Sequence, residues 1–375
     1  MTHVAKNIAS TASPELFSGV STPARDLICV LLYDIKYMEN YRINHPEAFS
    51  ETMDDFAGDS EQLNDEIKNA VLVHPKLDPH NVRFYTDPYA LMSDLAKDHD
   101  RVEVVLNFCD DFNDRVELMA MPILFEMYKL PFSCYAANGL YLSHNKFNSY
   151  SIAKQLGIPV PKSYYVTRDI ANDLDVDSFP VVVKPNNAGG SEGVSFKSIA
   201  YDHDQLRDIL ARMLESYRAL IACEYLPGDE LTLGIMRHEG EIIPLTLKCL
   251  QFVNFGDDPA IYTYDYKWDE NLLGDKQLIV KPFDGDPGIK EQIVEDSTKL
   301  FKVLDCKDFA RVDWKCDGNG QPRFIDFNEN PMFGKDSSFL YCLEQAGYTR
   351  RDLFNTIIDN LLLATTRPVG RPSGF

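Results

Sequence analysis

Positive charge is scarce in this sequence: 37 lysines and arginines face 58 aspartates and glutamates, which leaves a formal net charge of −21. Nucleic acids and anionic membranes bind basic surfaces, so neither is expected as a main partner. A local basic pocket for phosphate stays compatible with this charge. A long apolar run is missing too, because the run at 27–33 is too short to span a bilayer and no signal-peptide pattern precedes it.

The sequence also lacks paired cysteines. Its eight cysteines include no CxxC pair and no tightly spaced framework, and most of them lie inside apolar runs. Reduced cysteines of a protein core have this distribution. The pattern therefore predicts a cytoplasmic protein.

The chain is long enough for more than one core, since 375 residues exceed the usual size of a single domain. Residues 1–25, rich in Ser, Thr, Ala and Pro without periodicity, are expected to form a disordered leader. The next hundred residues alternate between strand and helix patterns, which predicts a small α/β domain with a parallel sheet. The predicted strands are 27–33, 82–85 and 102–108, and the predicted helices are 88–97 and 115–128.

Two polar segments of this N-terminal part stay open to more than one interpretation. Residues 37–65 are polar and acidic without a clear period, which fits a loop or a substrate-facing insertion. Residues 107–114 follow the third strand, at the edge where open α/β sheets bind ligands, but their acidic side chains fit a solvated loop slightly better.

The densest pattern lies in residues 309–334. Two β-forming runs flank the turn-forming cluster at 317–320, which predicts a β-hairpin. Period-2 alternation places Ile325 and Phe327 on the apolar face of the second strand. It gathers four polar side chains on the opposite face of the hairpin, namely Arg311, Asp313, Asp326 and Asn328.

These four side chains bring two carboxylates, one carboxamide and one guanidinium together on a rigid sheet. Hard oxygen ligands of this kind suit Mg²⁺, which binds few protein groups and keeps positions for phosphate oxygens. A solvated face of an edge hairpin is the alternative. An EF-hand is excluded, because the turn at 317–320 lacks the run of oxygen ligands and the closing glutamate. The hairpin therefore predicts half of a nucleoside-triphosphate site.

A glycine-rich loop follows the apolar strand predicted at 179–184. Glycines let backbone N–H groups point at an anion without interference from a Cβ atom, and Lys184 at the end of the strand adds a point charge for phosphate. The loop matches neither a P-loop nor a dinucleotide fingerprint. We interpret it as a strand-loop-strand flap over phosphates, with an ordinary glycine-rich turn as the alternative. Its members are Gly189, Gly190, Ser191 and Gly193.

Other candidates are weaker when each is taken alone. Lys146 begins a helix predicted at 146–156, and a lone lysine on a helix is usually a solvated charge. The segment 219–235 reads as strand, turn and strand, and fits either a surface turn or a contact with adenine and ribose. Lys267 lies in the long polar and aromatic loop 252–277, a length that is typical of functional or disordered loops.

Taken in order, the motifs VVVKPNNAGGSEGV, EYLPGDELT, YDYKW, ARVDW and IDFNENP resemble the ATP-grasp superfamily and, within it, the D-alanine–D-alanine ligase-like branch. The resemblance covers about residues 102–363, while the first hundred residues match poorly. It implies an α/β (α+β) ATP-grasp fold of three subdomains, with ATP between two antiparallel β-structures. The expected divisions are an N-terminal α/β domain at 26–140, a central ATP-grasp subdomain at 141–235 and a C-terminal subdomain with the hairpin at 236–375.

The resemblance also implies roles for the nucleotide-binding residues. The ATP phosphates would contact Lys146 and Lys184, and Gly189, Gly190 and Ser191 of the flap would cap them. Adenine would contact Glu224, Tyr225 and Leu226, which precede the Pro-Gly turn. The ribose would contact Glu230.

The catalytic and metal-binding roles come from the same resemblance. Three residues would be catalytic: Lys267 would reach the γ-phosphate or a substrate carboxylate, Arg311 would stabilise an oxyanion, and Ser191 would cap the phosphates. Two Mg²⁺ ions, with Mn²⁺ as an alternative, would be bound by Asp313, Asp326 and Asn328, and Asp326 would bridge them.

The activity implied is ATP-dependent ligation of a small-molecule carboxylate to an amine through an acylphosphate, with release of ADP and phosphate. An amino acid is the expected amine, and the resemblance allows a homodimer. A small-molecule kinase on the same fold and a nucleotide-binding regulatory protein without turnover are the alternatives.

Three departures from the family pattern argue against D-alanine–D-alanine ligase activity itself. Asp326 replaces the usual glutamate and is one methylene shorter. Met332, Phe333 and Gly334 replace a glycine-led segment after the hairpin. The usual substrate signature after the first strand is absent, and LLYDIKYMEN stands there instead.

Overall fold

Three β-sheets organise the part of the chain that the computed structural model describes, which is residues 25–33, 51–109, 115–188, 191–263, 273–335 and 337–366. The predicted leader, except for residue 25, lies outside these ranges, as do Gly189, Gly190 and Lys267. Within them, no helix is long and apolar enough to cross a bilayer.

The first sheet is parallel, as the alternation of strands and helices predicted, and its strand order is β2-β1-β3. All five residues of β1 are buried, because helices cover both faces of such a sheet. The segment predicted at 37–65 as a loop or insertion contains the start of a long helix, while 34–50 lies outside the described residues. The strands are β1 (Leu27–Leu31), β2 (Val82–Tyr85) and β3 (Val102–Asn107), and the helices are α1 (Glu51–Val73), α2 (Pro88–Asp98) and α3 (Arg115–Met127).

The second sheet is antiparallel, with the order β4-β7-β5-β6. The flap begins at the end of β5, and its second strand starts only at Ile199, after a 3₁₀ turn at Phe196–Ser198. The strands are β4 (Ser163–Val166), β5 (Val181–Pro185), β6 (Ile199–Ala200) and β7 (Leu220–Glu224), and the helices before and within this region are α4 (Ala137–His144), α5 (Lys146–Gln155) and α6 (His203–Ser216).

The third sheet is also antiparallel, with the order β10-β9-β8-β11-β12. Its strand β8 runs across the division expected at 235/236, and the domain bounds stay a prediction. The strands are β8 (Glu230–His238), β9 (Glu241–Val253), β10 (Gln277–Pro282), β11 (Phe309–Cys316) and β12 (Pro322–Asn328), and the helices are α7 (Pro287–Val303), α8 (Ser338–Gln345) and α9 (Arg350–Thr366).

The predicted hairpin is formed by β11 and β12, and its register aligns Asp313 with Asp326. A β-bulge follows this pair, because Trp314 is aligned with Phe324 and Ile325 is the extra residue. The bulge breaks the alternation, so Ile325 lines the same cleft as Asp326. The prediction that Ile325 lies on the opposite face was therefore wrong.

The segment after the hairpin is fixed by Phe333, which is fully buried. Its ring lies 5.9 Å from that of Tyr33 at the end of the first sheet, 5.6 Å from that of Phe309 in β11 and 5.6 Å from that of Phe354 in α9. Aromatic rings at these separations pack favourably edge to face. One cluster thus joins the N-terminal domain to the third sheet.

Helices α4 and α5 connect this cluster to the two antiparallel sheets. Ser143 of α4 donates a hydrogen bond to the buried carboxyl group of Glu329, directly after β12. Gly139 lies against the backbone carbonyl of Leu304, and a Cβ atom at this position would overlap the carbonyl oxygen. The glycine therefore sets how closely α4 approaches the end of α7.

We expect Gly139→Ala to destabilise the protein by about 2 kcal/mol, since the added methyl group must displace backbone rather than a flexible side chain. Urea unfolding followed by far-UV circular dichroism measures the change. Asn138→Ala, on an exposed position of the same helix turn, is the matched control and should stay within about 0.5 kcal/mol of the parent. Equal stability of the two variants would contradict this close approach.

Candidate active site

A cleft between the second and third sheets collects the predicted site residues. One wall comes from β5 and the end of β7, and the other from β8, β9, β11 and β12. Asn328 lies beside the cleft, where it donates a hydrogen bond to Asp313 over 3.3 Å. The predicted residues that line the cleft are Lys146, Lys184, Ser191, Glu224, Tyr225, Leu226, Glu230, Arg311, Asp313 and Asp326.

The third sheet arranges its polar residues in rows that cross several strands. We call the row that contains both aspartates the metal row. Its members are aligned pairwise across β9, β8, β11 and β12, and they are Lys248, Thr232, Asp313 and Asp326. A second row carries Arg311 aligned with Asn328, and a third carries Lys315 aligned with Glu230.

The Asp313 carboxylate accepts hydrogen bonds from one residue of its own row and from both residues of the second row. Its Oδ1 accepts from the Thr232 hydroxyl over 3.0 Å, and its Oδ2 accepts from Arg311 Nε over 3.0 Å and from the Asn328 amide. Burial raises the pKa of Asp313, while the Arg311 guanidinium opposes this shift. The carboxylate thus has a fixed orientation. Asn328 uses its side-chain nitrogen for this hydrogen bond, so its side-chain oxygen can bind a cation.

Asp326 faces Lys146, which is buried rather than solvated. The Lys146 Nζ atom lies 3.3 Å from Asp326 Oδ2 and donates a hydrogen bond to the Ala188 carbonyl over 2.8 Å. The backbone of Asn186 accepts a hydrogen bond from the Lys146 N–H group over 3.0 Å. The first residue of α5 is therefore tied to the flap and to the hairpin at once, and its reading as a solvated charge was wrong.

The donor set on the hairpin fits a magnesium ion. Asp313 and Asp326 are direct cross-strand partners, with the Asn328 amide beside them. Among the residues with described positions, no group of three or more His, Cys, Asp or Glu side chains can hold a metal by itself. A cation bound by these two carboxylates would need oxygens from elsewhere, and Mg²⁺ keeps positions for phosphate and water oxygens.

The opposite wall carries the connection from β7 to β8. Tyr225 donates its backbone N–H group to Pro180 over 3.0 Å, and its hydroxyl accepts a hydrogen bond from the Ala260 N–H group over 2.8 Å. Lys315 donates to the Ala260 carbonyl over 2.6 Å and to Glu230 over 3.2 Å. These bonds fix Ala260 between Tyr225 and Lys315, which both line the cleft.

The described part of the flap turns through two residues with positive φ. Ser191 adopts a positive φ of 64°, and its carbonyl accepts a hydrogen bond from Val194. Gly193 also has a positive φ, and a Cβ atom there would press on Pro185 and on the Tyr217 hydroxyl. Glycine is therefore required at 193. Gly189 and Gly190 lie outside the described residues.

The structure adds cleft residues that the sequence patterns did not reveal. Lys315 has the same parity as Arg311 and Asp313, so extending the alternation by two residues would have found it. Thr232 and Lys248 carry no comparable signal, because each lies in an antiparallel strand whose partners are set only by the register of the sheet. Lys267, predicted to be catalytic, lies outside the described residues.

Comparisons with known proteins show the family to which the chain belongs. A family model described as "D-ala D-ala ligase C-terminus" matches residues 152–359, which is more than half of the chain. The D-alanine–D-alanine ligase of Acetivibrio thermocellus is 29% identical over 253 residues, which cover 63% of this chain and 62% of that protein. The uncharacterized protein y4sG of Sinorhizobium fredii is 24% identical over 259 residues, which cover 68% of this chain and 74% of that protein.

A solved structure extends the likeness over the N-terminal domain. The crystal structure of D-alanine–D-alanine ligase from Bacillus anthracis in complex with ATP superposes with a TM-score of 0.61 at 20% identity, covering 90% of this chain and 98% of that one. At this identity the likeness concerns the fold, and it confirms the predicted ATP-grasp fold. Because the family model spans more than half of the sequence, the chain belongs to the family of D-alanine–D-alanine ligase C-terminal domains, and it is an ATP-dependent, ADP-forming ligase that makes carbon–nitrogen bonds.

Proposed function

We propose that the protein activates a carboxylate with ATP as an acylphosphate and joins it to the amine of a second small molecule, with an amino acid as one of the two substrates. The observation that carries the proposal is the cross-strand pair Asp313 and Asp326, in a cleft whose opposite wall presents Lys184. Carboxylates on one wall and a lysine on the other fit a metal-bound triphosphate between them.

The nucleotide would occupy the cleft along its length. Lys184 and Lys146 lie near the flap and fit the phosphates, together with Ser191. The segment from Glu224 to Leu226 fits the adenine, and Glu230, held by Lys315, fits the ribose hydroxyls. This orientation of the nucleotide brings its phosphates to the metal row, because Asp326 lies at the Lys146 end of the cleft.

Magnesium would be held by Asp313, Asp326 and Asn328. When bound, it neutralises negative charge on the phosphoryl group and orients the group for transfer. We propose that two ions bind here. The alignment of Asp313 with Asp326 supports a site to which both carboxylates contribute.

The reaction then needs no covalent intermediate with the protein. An oxygen of the substrate carboxylate attacks the γ-phosphorus, the bond from that phosphorus to the β,γ-bridging oxygen breaks, and ADP leaves. The amine nitrogen attacks the acyl carbon, the carbon–oxygen bond to phosphate breaks, and the amine loses a proton. Arg311, whose guanidinium is oriented by Asp313, would stabilise the oxyanion that forms on the acyl oxygen.

The substrate pair is proposed to differ from two D-alanine molecules, the substrates that the names of several relatives indicate. The segment 332–334 that replaces the family's glycine-led sequence is fixed in place by the buried ring of Phe333. Met332 beside it adds a side chain where a glycine would leave space.

We propose that the protein is cytoplasmic, and the burial of all eight cysteines as thiols supports this location.

Hydroxylamine trapping tests the acylphosphate. With MgATP, hydroxylamine and mixtures of amino acids and small carboxylic acids, we expect a hydroxamate to form in step with ADP release, because hydroxylamine replaces the natural amine. Mass spectrometry identifies the acid that reacts. A stable phosphorylated product would instead identify a kinase, and ATP binding without ADP release across the whole panel would identify a regulatory protein.

Asp326→Asn is expected to lower kcat by about 100-fold or more, since it removes the negative charge of a carboxylate that both metal ions would share. ADP release over a range of Mg²⁺ concentrations measures the effect, and half-saturation should move to higher Mg²⁺. Asp169→Asn, on an exposed loop, is the matched control and should behave like the parent. If Asp326→Asn retained full turnover at low Mg²⁺, the metal assignment would be wrong.

Arg311→Ala is expected to reduce amide formation by about 100-fold and to change the nucleotide Kd by less than about threefold, because the guanidinium acts on the acyl group. Product formation and isothermal titration with a non-hydrolysable ATP analogue give the two quantities. Arg311→Lys should keep part of the parent's rate, because it retains the charge. Arg218→Ala, which removes an exposed arginine, is the matched control and should keep the full rate. Equal losses of binding and rate would show that Arg311 acts only through the structure of the site.

A further inference from the structure

Lys315 is a buried cation at the end of the cleft where the nucleoside is proposed to bind. Its side chain is 6% exposed and that of Glu230 beside it is 24% exposed, so a ligand reaches the carboxylate more readily than the ammonium group. A lysine this deeply buried needs partners for its charge. Besides Glu230, its Nζ atom has two further contacts that the proposed function does not use.

The ammonium group of Lys315 connects strands of the third sheet to a segment outside it. Its Nζ atom lies 3.2 Å from Glu230 Oε1 at the start of β8 and 3.9 Å from the centre of the Phe252 ring near the end of β9. It donates a shorter hydrogen bond, over 2.6 Å, to the backbone carbonyl of Ala260, which belongs to no strand or helix. Hydrogen bonds from a charged donor are stronger than neutral ones, and burial strengthens them further. Lys315 therefore holds Ala260 to the third sheet.

Ala260 lies in the bridging segment, a name that we give to residues 258–263. One side of this segment is held by Lys315 of the third sheet. Its other side packs on the second sheet, because Ile261 is buried in a small apolar cluster with residues of that sheet. The other buried members of the cluster are Val182 of β5 and Ile199 of β6. The bridging segment therefore connects the two sheets that form the walls of the cleft.

The bridging segment also borders the space proposed for the nucleoside. Ile261 lines the cleft, and so does Tyr225, which the proposed function assigns to adenine. The Tyr225 hydroxyl accepts a hydrogen bond from the Ala260 N–H group over 2.8 Å. Glu230, assigned to the ribose, reaches the same residue through Lys315. Both proposed nucleoside contacts are therefore linked to the backbone of Ala260.

We propose that Lys315 is a positioning residue that closes the nucleoside end of the cleft, because it holds the bridging segment between the two sheets and thereby slows release of the nucleotide. The proposal rests on the proposed function, which puts the nucleoside beside Tyr225 and Glu230. Lys315 acts through Ala260 and Glu230 and does not itself touch the nucleotide. Without its ammonium group, the bridging segment would stay attached to the second sheet through Ile261 but would lose its bond to the third.

Amide hydrogen exchange of the nucleotide-free protein tests the contact itself. In Lys315→Met, peptides that contain residues 258–263 should exchange about tenfold faster than in the parent, or more, because the Ala260 carbonyl loses its donor and the segment opens more often. Peptides of β5 and β12 should exchange at the parent's rate. Methionine fills the volume of the lysine stem, and Glu230 is exposed enough to be solvated without its partner.

Binding kinetics separate closure of the cleft from a loss of positive charge. Surface plasmon resonance with immobilised protein, Mg²⁺ and a non-hydrolysable ATP analogue gives the association and dissociation rate constants. Lys315→Met should raise the dissociation rate constant about tenfold and keep the association rate constant within about threefold of the parent. Loss of electrostatic attraction would instead slow association. Lys302→Met, which removes an exposed lysine from α7, is the matched control and should change neither constant.

Tyr225→Phe is a second variant, which keeps the proposal testable if Lys315→Met does not fold. It retains the aromatic ring and the contact between Lys315 and Glu230, and it removes only the hydroxyl that accepts from Ala260. Exchange of the bridging segment and release of the analogue should both become about threefold faster. Faster release in this variant assigns the effect to the bridging segment rather than to Glu230.

The behaviour of the parent separates this proposal from the proposed function. If the parent does not bind the analogue with Mg²⁺, the proposed function fails. If the parent binds it and both variants release it within about twofold of the parent's rate, or change only association, the closing role of Lys315 is refuted while the function stands. Unchanged hydrogen exchange of residues 258–263 in Lys315→Met would refute it as well.

Discussion

The alignment of Asp313 with Asp326 is the constraint on which the site depends. Like charges directly opposite each other on neighbouring strands destabilise a sheet. Here Arg311 and Thr232 hold one carboxylate, and Lys146 faces the other. The neighbours therefore make an acidic pair tolerable in the fold, and a bound cation would be attracted to the same two groups. Stability and metal binding are in this way coupled through one pair of residues.

The same register explains why residues far apart in sequence act together. Lys146 at the start of α5 meets Asp326 across 180 residues, and the metal row brings in Lys248 from a strand that precedes the hairpin by about 60 residues. Antiparallel sheets transmit position well, since each ladder bond fixes the next strand. The bulge after Asp313 changes the parity of β12 once, and it thereby brings an apolar side chain, Ile325, next to a charged one.

Local patterns predicted the hairpin, its polar face and the strand before the flap, because alternation and turn residues depend only on neighbours in the sequence. They could not place Ile325, since a bulge is an irregularity of pairing that period-2 counting ignores. They also could not decide whether Lys146 is solvated, because the answer depends on its contacts with Ala188 and Asp326. The roles of Lys146, Lys184 and Glu230 came from the order of motifs rather than from any one of them.

The part of the chain that resembles the family least is packed against the part that departs from it most. Tyr33 lies two residues after β1, where the family's substrate signature is missing, and its ring packs on Phe333 in the segment that replaces the glycine-led sequence. A change on one side of this contact alters the space left for the other, since packed aromatic cores tolerate little change in volume. The two departures therefore meet at one contact, located where the N-terminal domain packs against the segment after the hairpin.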